Sequence, residues 1–437
     1  MDFDRPSAIL QYRRNRDRSR ALFDMLPEDV YYSRPIDLRH PIVFYDGHLP
    51  GFSFNTLVKK ALGGSGIDPR LEMLFARGID PHESQAAGAD AAKWPSRETV
   101  RAFVEEADAR VLDALEHEEL VRPGHALLDR ADAVFTILEH EAMHQETLLY
   151  MWHRLPFEQK RRPAGYTPIG DGRVPTDDWI GVPTGQVALG VDRSAVPFAW
   201  DNECPTCTAE VPAFAIERQN VTNGRFMEFV DAGGYRDARW WSSDDWRWVQ
   251  SERIEHPLFW ELVNGRWYWR AMFELIPLPA SWPVYVSHAE AAAFARWRDA
   301  RLPTEAEYQR AAFGSDSSEN ARLHPWGDAE PSDVRGVFDF SSWDPQPAGS
   351  HPSGASAWGV EDLVGNGWEW TSTTFAPFPG FRAAPSYPEY SADFFDGEHY
   401  VMKGASPATA RELLRPTFRN WFRGRYPYVY ATFRCAR

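Results

Sequence analysis

Residues 131–155, ADAVFTILEHEAMHQETLLYMWHRL, contain no glycine or proline and read as one uninterrupted helix. Pro156 ends it, because its ring cannot follow a helical turn. Inside this helix His140 and His144 stand at i and i+4, on one face, so both imidazoles can reach a single ion. The string His140-Glu141-Ala142-Met143-His144 also matches the HExxH pattern, in which two histidines bind zinc and the glutamate is the base of a metalloprotease. That reading lacks the features of a peptide cleft, and a third ligand has a better candidate upstream. Glu146 is two residues past His144 and roughly opposite on the helical wheel, the position of a supporting group, not of a ligand. A histidine pair alone is as often a polar patch as a metal site. The reading therefore turns on a third ligand.

The candidate is His48, in RHPIVFYDGHLPGF at 39–52. A helix begins near Pro41, with Ile42, Val43, Phe44, Phe52, Phe54, Leu57 and Val58 on a broad apolar face, and His48 lies within it. The competitor His40 sits beside Pro41, a capping or loop position. Two more helices complete the N-terminal half: Pro6 to Leu26, and a stretch opened by Ser96 as cap that continues through VRAFVEEADARVLDALEHE. Four long helices predict an antiparallel bundle, whose interior can hold a metal. Three neutral imidazoles with open coordination positions suit Fe(II) or Zn(II).

From Trp179 onward the character changes to dense Trp, Gly and Pro, with short apolar runs broken by turn signals. GQVALGV and VPAFAIERQNVT read as strands, SHAEAAAFARWRDARL as an amphipathic helix, and the remainder as loop. The predicted organisation is α+β: a helical bundle over 1–160, a polar Pro- and Gly-rich linker over 161–178, and a second domain over 179–437. The 19 Trp, 27 Phe and 16 Tyr imply a ring-lined pocket or a loop-rich fold held by aromatic plugs.

Composition narrows the function. In 437 residues, 47 Lys and Arg stand against 63 Asp and Glu, a net charge of −16 that repels phosphate backbones and anionic lipid. No run of about 18 apolar residues spans a membrane. The opening MDFDRPSAILQYRRNRDRSR has no apolar signal core. Three cysteines make no disulfide framework, so a cytoplasmic location is expected. Cys204-Pro-Thr-Cys207 has CxxC spacing without a second pair and reads as loop cysteines.

The first half, with its HxxxHxE and an upstream Gly-His, resembles a DinB-type four-helix bundle. The second resembles the formylglycine-generating-enzyme and sulfatase-modifying fold, a variant of the C-type-lectin fold. The strings that carry this are Asn220-Val-Thr-Asn-Gly-Arg-Phe226, Phe229-Val-Asp-Ala-Gly-Gly-Tyr235, Trp282-Pro-Val-Tyr285, Arg301-Leu-Pro-Thr-Glu-Ala-Glu-Tyr308, His324-Pro-Trp-Gly-Asp328 and Asp362-Leu-Val-Gly-Asn-Gly-Trp-Glu-Trp370. The fusion resembles the non-heme iron sulfoxide synthases of ergothioneine and ovothiol biosynthesis, which use O2 to join a sulfur donor to an imidazole carbon of a histidine derivative. RHPIVFYDGHLPGFSFN, Lys403-Gly-Ala-Ser-Pro407 and NWFRGRYPYVYATFRCAR are most similar to the selenoneine synthase branch, which joins a selenosugar to hercynine, trimethylhistidine.

The resemblance implies His48, His140 and His144 as Fe(II) ligands, with O2 as co-substrate. It implies Trp421 and Phe422 as hercynine-binding residues, a cation over an aromatic face being the expected contact. It implies a catalytic tyrosine in Ser386-Tyr-Pro-Glu-Tyr-Ser391, either Tyr387 or Tyr390. It implies Arg97 and Arg101 as donor-binding residues, although an arginine fork suits a carboxylate and a neutral selenosugar offers none. The alternative donors are gamma-glutamylcysteine and cysteine. Formylglycine-generating enzymes bind copper with paired C-terminal cysteines; here Cys435 stands alone, so that chemistry is not expected. A reading from another class is a binding module with a structural zinc, recognising a glycan or small molecule without catalysis.

Overall fold

A computed structural model describes residues 3–76, 94–315 and 322–437. The chain divides into two compact units. The first is Met1–Tyr166 together with Ala384–Pro388, and the second is Thr167–Ala383 with Glu389–Arg437.

In the first unit, helix α1 spans Arg5–Asp24 and starts where sequence logic puts it: Asp4 accepts from the Ser7 N–H, and Pro6 occupies the first turn, where a missing N–H costs nothing. Helix α2 spans Ile42–Ser53 and contains Pro50, which removes one internal hydrogen bond; beyond it the chain widens into π-helical turns over Phe54–Ala61. A short α3 covers Pro69–Leu74. Helix α4, Arg97–His117, is capped by Ser96, whose Oγ accepts from the Thr99 N–H at 3.2 Å. Helix α5 covers Asp132–Arg154. Both α1 and α2 pack against α4 and α5, the predicted bundle. Its core includes Tyr12, Phe54, Leu57, Val111, Leu115 and Ile137, all fully or nearly fully buried.

The second unit holds more regular structure than its sequence advertises. Antiparallel pairs join β1 (Trp179–Val182) to β4 (Phe214–Glu217) and β2 (Gly185–Leu189) to β3 (Cys207–Val211). Helices α6 (Asn223–Asp231) and α7 (Ser243–Glu252) precede a three-stranded meander, β5 (Trp260–Val263), β6 (Arg266–Arg270) and β7 (Leu275–Pro277). Helix α8, His288–Trp297, lies within the predicted amphipathic stretch; Ser287 and Glu290 close a capping box. Helix α9 is Glu305–Phe313. The largest sheet combines β8 (Gly367–Thr374), β9 (His399–Ala405), β10 (Asn420–Arg423) and β11 (Ala431–Thr432) in the order β10-β9-β8-β11. Much of what reads as loop is therefore short strand and helix. These elements are too brief to show a period, and non-local pairing holds them.

Of the two expectations for the aromatics, plugs account for a large share. Trp200, Trp260, Trp269, Trp282, Trp368 and Trp370 are fully buried in this unit. The string Asp362–Trp370 is structural: Gly365 has φ +102°, and a Cβ there would meet the Val337 backbone nitrogen at 2.7 Å. The Asn366 amide is engaged on both sides by the Gln346 backbone, at 2.8 and 2.9 Å. Among the described residues, no helix is long and apolar enough to cross a membrane.

Candidate metal centre

Helix α5 brings His140 and His144 one turn apart, and α2 brings His48 against them. Their ring centroids are 4.5 Å apart for the α5 pair and 5.0 Å from His48 to each. One ligand atom from each lies within 4.8 Å of the other two; among the described residues these three form the only group of metal-ligand side chains so gathered. Gly47 makes the approach possible. A Cβ there would meet the Phe75 ring at 2.5 Å, and the Phe75 carbonyl beyond it receives the His48 Nδ1–H at 2.7 Å. A carbonyl only accepts, so the proton sits on Nδ1 and the Nε2 lone pair is left free. Phe52 stacks on His140 at 3.5 Å and 10°, and Phe44 on His48 at 4.9 Å and 18°, which fixes both ring planes.

Four buried nitrogens here have no hydrogen-bond partner: His48 Nε2, His140 Nδ1 and Nε2, and His144 Nδ1. Leaving a buried polar atom unpaired costs about 1–3 kcal/mol, so such atoms are rare in folded proteins. Burial pushes the His48 pKa down to about 4 and, with the neighbouring imidazoles, holds His140 and His144 well below the ordinary histidine value. All three are neutral at pH 7, the form that binds a metal. Three converging lone-pair donors without internal partners fit a metal ion.

Glu141 faces elsewhere. It is fully buried and pairs with Arg16 of α1 at 2.7 Å and with the Ser19 hydroxyl at 2.7 Å, so the metalloprotease role that HExxH suggests is not available to it. His40 precedes α2 and stacks on Phe44 at 4.1 Å. Neither it nor Glu146 joins the triad.

The two tyrosines fall in different units. Tyr387 belongs to the segment that packs with the helices, its ring 6.0 Å from His140 and 5.2 Å from Phe52. Tyr390 belongs to the second unit, stacked on Trp200 at 4.0 Å and edge-on to Trp421 at 5.0 Å. Trp421 lies parallel to Phe375 at 4.4 Å, whereas Phe422 stacks on Tyr426 at 5.4 Å. Both sit on β10, where neighbouring side chains point to opposite faces. The pair therefore does not form one wall. Arg97 lies over the Tyr31 ring at 4.9 Å. Burial pushes the Asp46 carboxyl up, and the Tyr31 hydroxyl with Arg16, Arg97 and Arg101 opposes that rise.

The cysteines are free thiols. Burial raises Cys204 to about 11 and lifts Cys207 and Cys435 as well, so none is a thiolate at neutral pH. Sequence reasoning places Phe44 and Phe52 only on the apolar face of α2 and does not single out Thr136. The signal was there: Phe44, His48 and Phe52 form an i, i+4 ladder on α2, as Thr136, His140 and His144 do on α5.

Fold and site together define a DinB-type helical domain with three clustered histidines that could hold a metal ion, joined in the chain to a sulfatase-modifying domain. Residues 11–148 match the model of the DinB superfamily, and residues 167–437 that of the sulfatase-modifying factor enzyme 1-like domain. A hercynine oxygenase of Mycolicibacterium thermoresistibile is 34% identical over 369 residues, covering 81% of this chain and 77% of that one. A hercynine oxygenase of Mycobacterium tuberculosis is 42% identical over 235 residues, covering 53% and 54%. Ergothioneine biosynthesis protein 1 of Schizosaccharomyces pombe is 28% identical over 461 residues, covering 93% and 53%. The chain thus spans about half the length of the last two relatives. It belongs to the two-domain sulfoxide synthase family that contains the hercynine oxygenases.

Proposed function

We propose that this protein is an O2-dependent, mononuclear non-heme iron(II) oxidoreductase that forms a carbon–selenium bond between hercynine and a selenosugar. The observation that carries the metal reading is the convergence of unpartnered, neutral imidazole nitrogens from His48, His140 and His144. These three would hold the iron, which when bound would supply the redox chemistry toward O2. The chain's own residues do the rest. The Phe75 carbonyl keeps the His48 proton on Nδ1, Phe52 and Phe44 hold ring planes, and Tyr387 holds a phenolic proton near His140. Trp421, partly exposed, is the proposed aromatic partner of the trimethylammonium group.

Arg97 lies over the Tyr31 ring at 4.9 Å and Arg101, one turn on, is exposed, so neither side chain selects between a carboxylate-bearing donor and a neutral one. A second reading, an ergothioneine-type synthase using gamma-glutamylcysteine or cysteine, is favoured by the names of the relatives.

The test is anaerobic Fe(II) reconstitution followed by O2 uptake with hercynine and each donor in turn, products read by mass spectrometry. A hercynine–selenium adduct with selenosugar is expected. A sulfoxide adduct with a thiol donor and none with selenosugar moves the protein to the second reading. Tight zinc with no O2 uptake on any pair overturns both.

A further inference from the structure

The segment Ala384–Pro388 packs with the helical unit although it lies far along the chain. Thr136 Oγ1 donates to Ser386 Oγ at 2.9 Å between two buried side chains. The Tyr387 ring touches Phe52 at 5.2 Å, and Phe52 in turn stacks on His140 at 3.5 Å. Thr136 is one helical turn before His140, and Phe52 one turn after His48, so each contact residue shares a ladder with a metal ligand. Pro385 and Pro388 bracket Ser386 and Tyr387 and restrict the backbone between them.

We propose that Thr136 and Phe52 are positioning residues that set the Tyr387 phenol against His140: the hydroxyl pair fixes the register of the segment along α5, and the Phe52 ring fixes the angle between ligand and phenol. This rests on the reading of Tyr387 as the proton-holding group. A reacting group displaced by about 1 Å can lose on the order of 100-fold in rate, so loosening either contact costs catalysis before it costs folding.

The experiment is a set of double-mutant cycles in the full-length, iron-reconstituted protein, reading iron content, kcat, the KM for hercynine and the product distribution. Tyr387→Phe is combined with Thr136→Val and with Phe52→Leu. Each of the latter two alone is expected to lower kcat about tenfold, with iron content and KM unchanged, and to shift products in the direction of Tyr387→Phe. Added to Tyr387→Phe, neither causes further loss, and Phe52→Tyr keeps the stack and the wild-type rate. Losses that add in full onto Tyr387→Phe, or that follow loss of iron, overturn the positioning role alone. A Tyr387→Phe protein with wild-type rate and products overturns the reading of Tyr387, and this inference with it. Should Phe52→Leu fail to fold, the Thr136→Val cycle, which conserves side-chain volume, decides by the same criterion.

Discussion

Helix α5 carries two sets of buried polar side chains about 100° apart around its axis, and the protein treats them in opposite ways. On one face, Glu141 pairs with Arg16 and Ser19, and Gln145 donates to the Asn15 carbonyl at 2.8 Å and to Ser19 Oγ at 3.0 Å. Arg16 reaches on to Asp108 at 2.8 Å, which also accepts from Tyr12 and Arg20. Of this set only Glu141 Oε2 and Asn15 Oδ1 lack a partner. On the adjoining face, His140 has neither nitrogen partnered. Desolvation is much the same on both sides, so the difference lies in what the sequence supplies to meet it. The bundle provides a guanidinium for the carboxylate one residue away and leaves both His140 nitrogens and His144 Nδ1 without a hydrogen bond, which is the pattern of a site kept for a ligand.

The comparison breaks first at Glu141. Removing one partner of a buried ion pair costs about 3–5 kcal/mol, and Asp108 remaining beside Arg16 puts Glu141→Ala near about 3 kcal/mol. Chemical denaturation of the apoprotein measures it, and wild-type stability would show that this face is not held by the pair. Next in size is the metal itself. Iron(II) under anaerobic conditions, at about a hundredfold excess over its Kd, should stabilise the wild type by about 2.7 kcal/mol and leave His140→Ala and His144→Ala unmoved. A His140→Ala protein that still gains stability and retains iron sinks the assignment. The sharper contrast is in the apoprotein, where the two faces should respond with opposite sign. His140→Leu deletes two unpartnered buried atoms and should leave stability unchanged or raise it by up to about 1 kcal/mol, whereas Glu141→Ala lowers it.

Much of this was legible. The bundle and the α5 pair follow from helical periodicity, because a helix writes its neighbours three and four residues away; the Ser96 cap follows from its residue type, and His48 as a third ligand from the family resemblance. The metalloprotease signature failed for a reason the sequence also contains: Arg16 and Ser19 on α1 are the partners that take Glu141, but pairing them needs the packing of α1 on α5, which no local rule gives. Tyr387 and Tyr390 stand three residues apart and fall in different units, a division set by long-range contacts of the segment Ala384–Pro388. Trp421 and Phe422 are paired by the family resemblance, whereas on β10 they are neighbours in a strand and point to opposite faces. Two-residue alternation would have parted them, but a strand of four residues gives too short a pattern to detect.

The smallest expected effect tests whether the two faces are independent. Ser19 Oγ donates to Glu141 Oε1 and accepts from Gln145 Nε2, yet each of those groups keeps another partner, Arg16 for the glutamate and the Asn15 carbonyl for the glutamine. Ser19→Ala should therefore cost only about 0.5–1.5 kcal/mol, and Ser19→Ala with Gln145→Ala less than the sum of the two, because both remove the same contact. Redundancy of this kind is what the histidine face lacks: neither His140 nitrogen nor His144 Nδ1 has a hydrogen-bond partner. Iron affinity, measured by competition with a chelator, should be the same in Ser19→Ala as in the wild type. A weakened iron site would mean that the α1 network sets the pitch of α5 on which His140 and His144 depend, and the two faces would then have to be treated as one device.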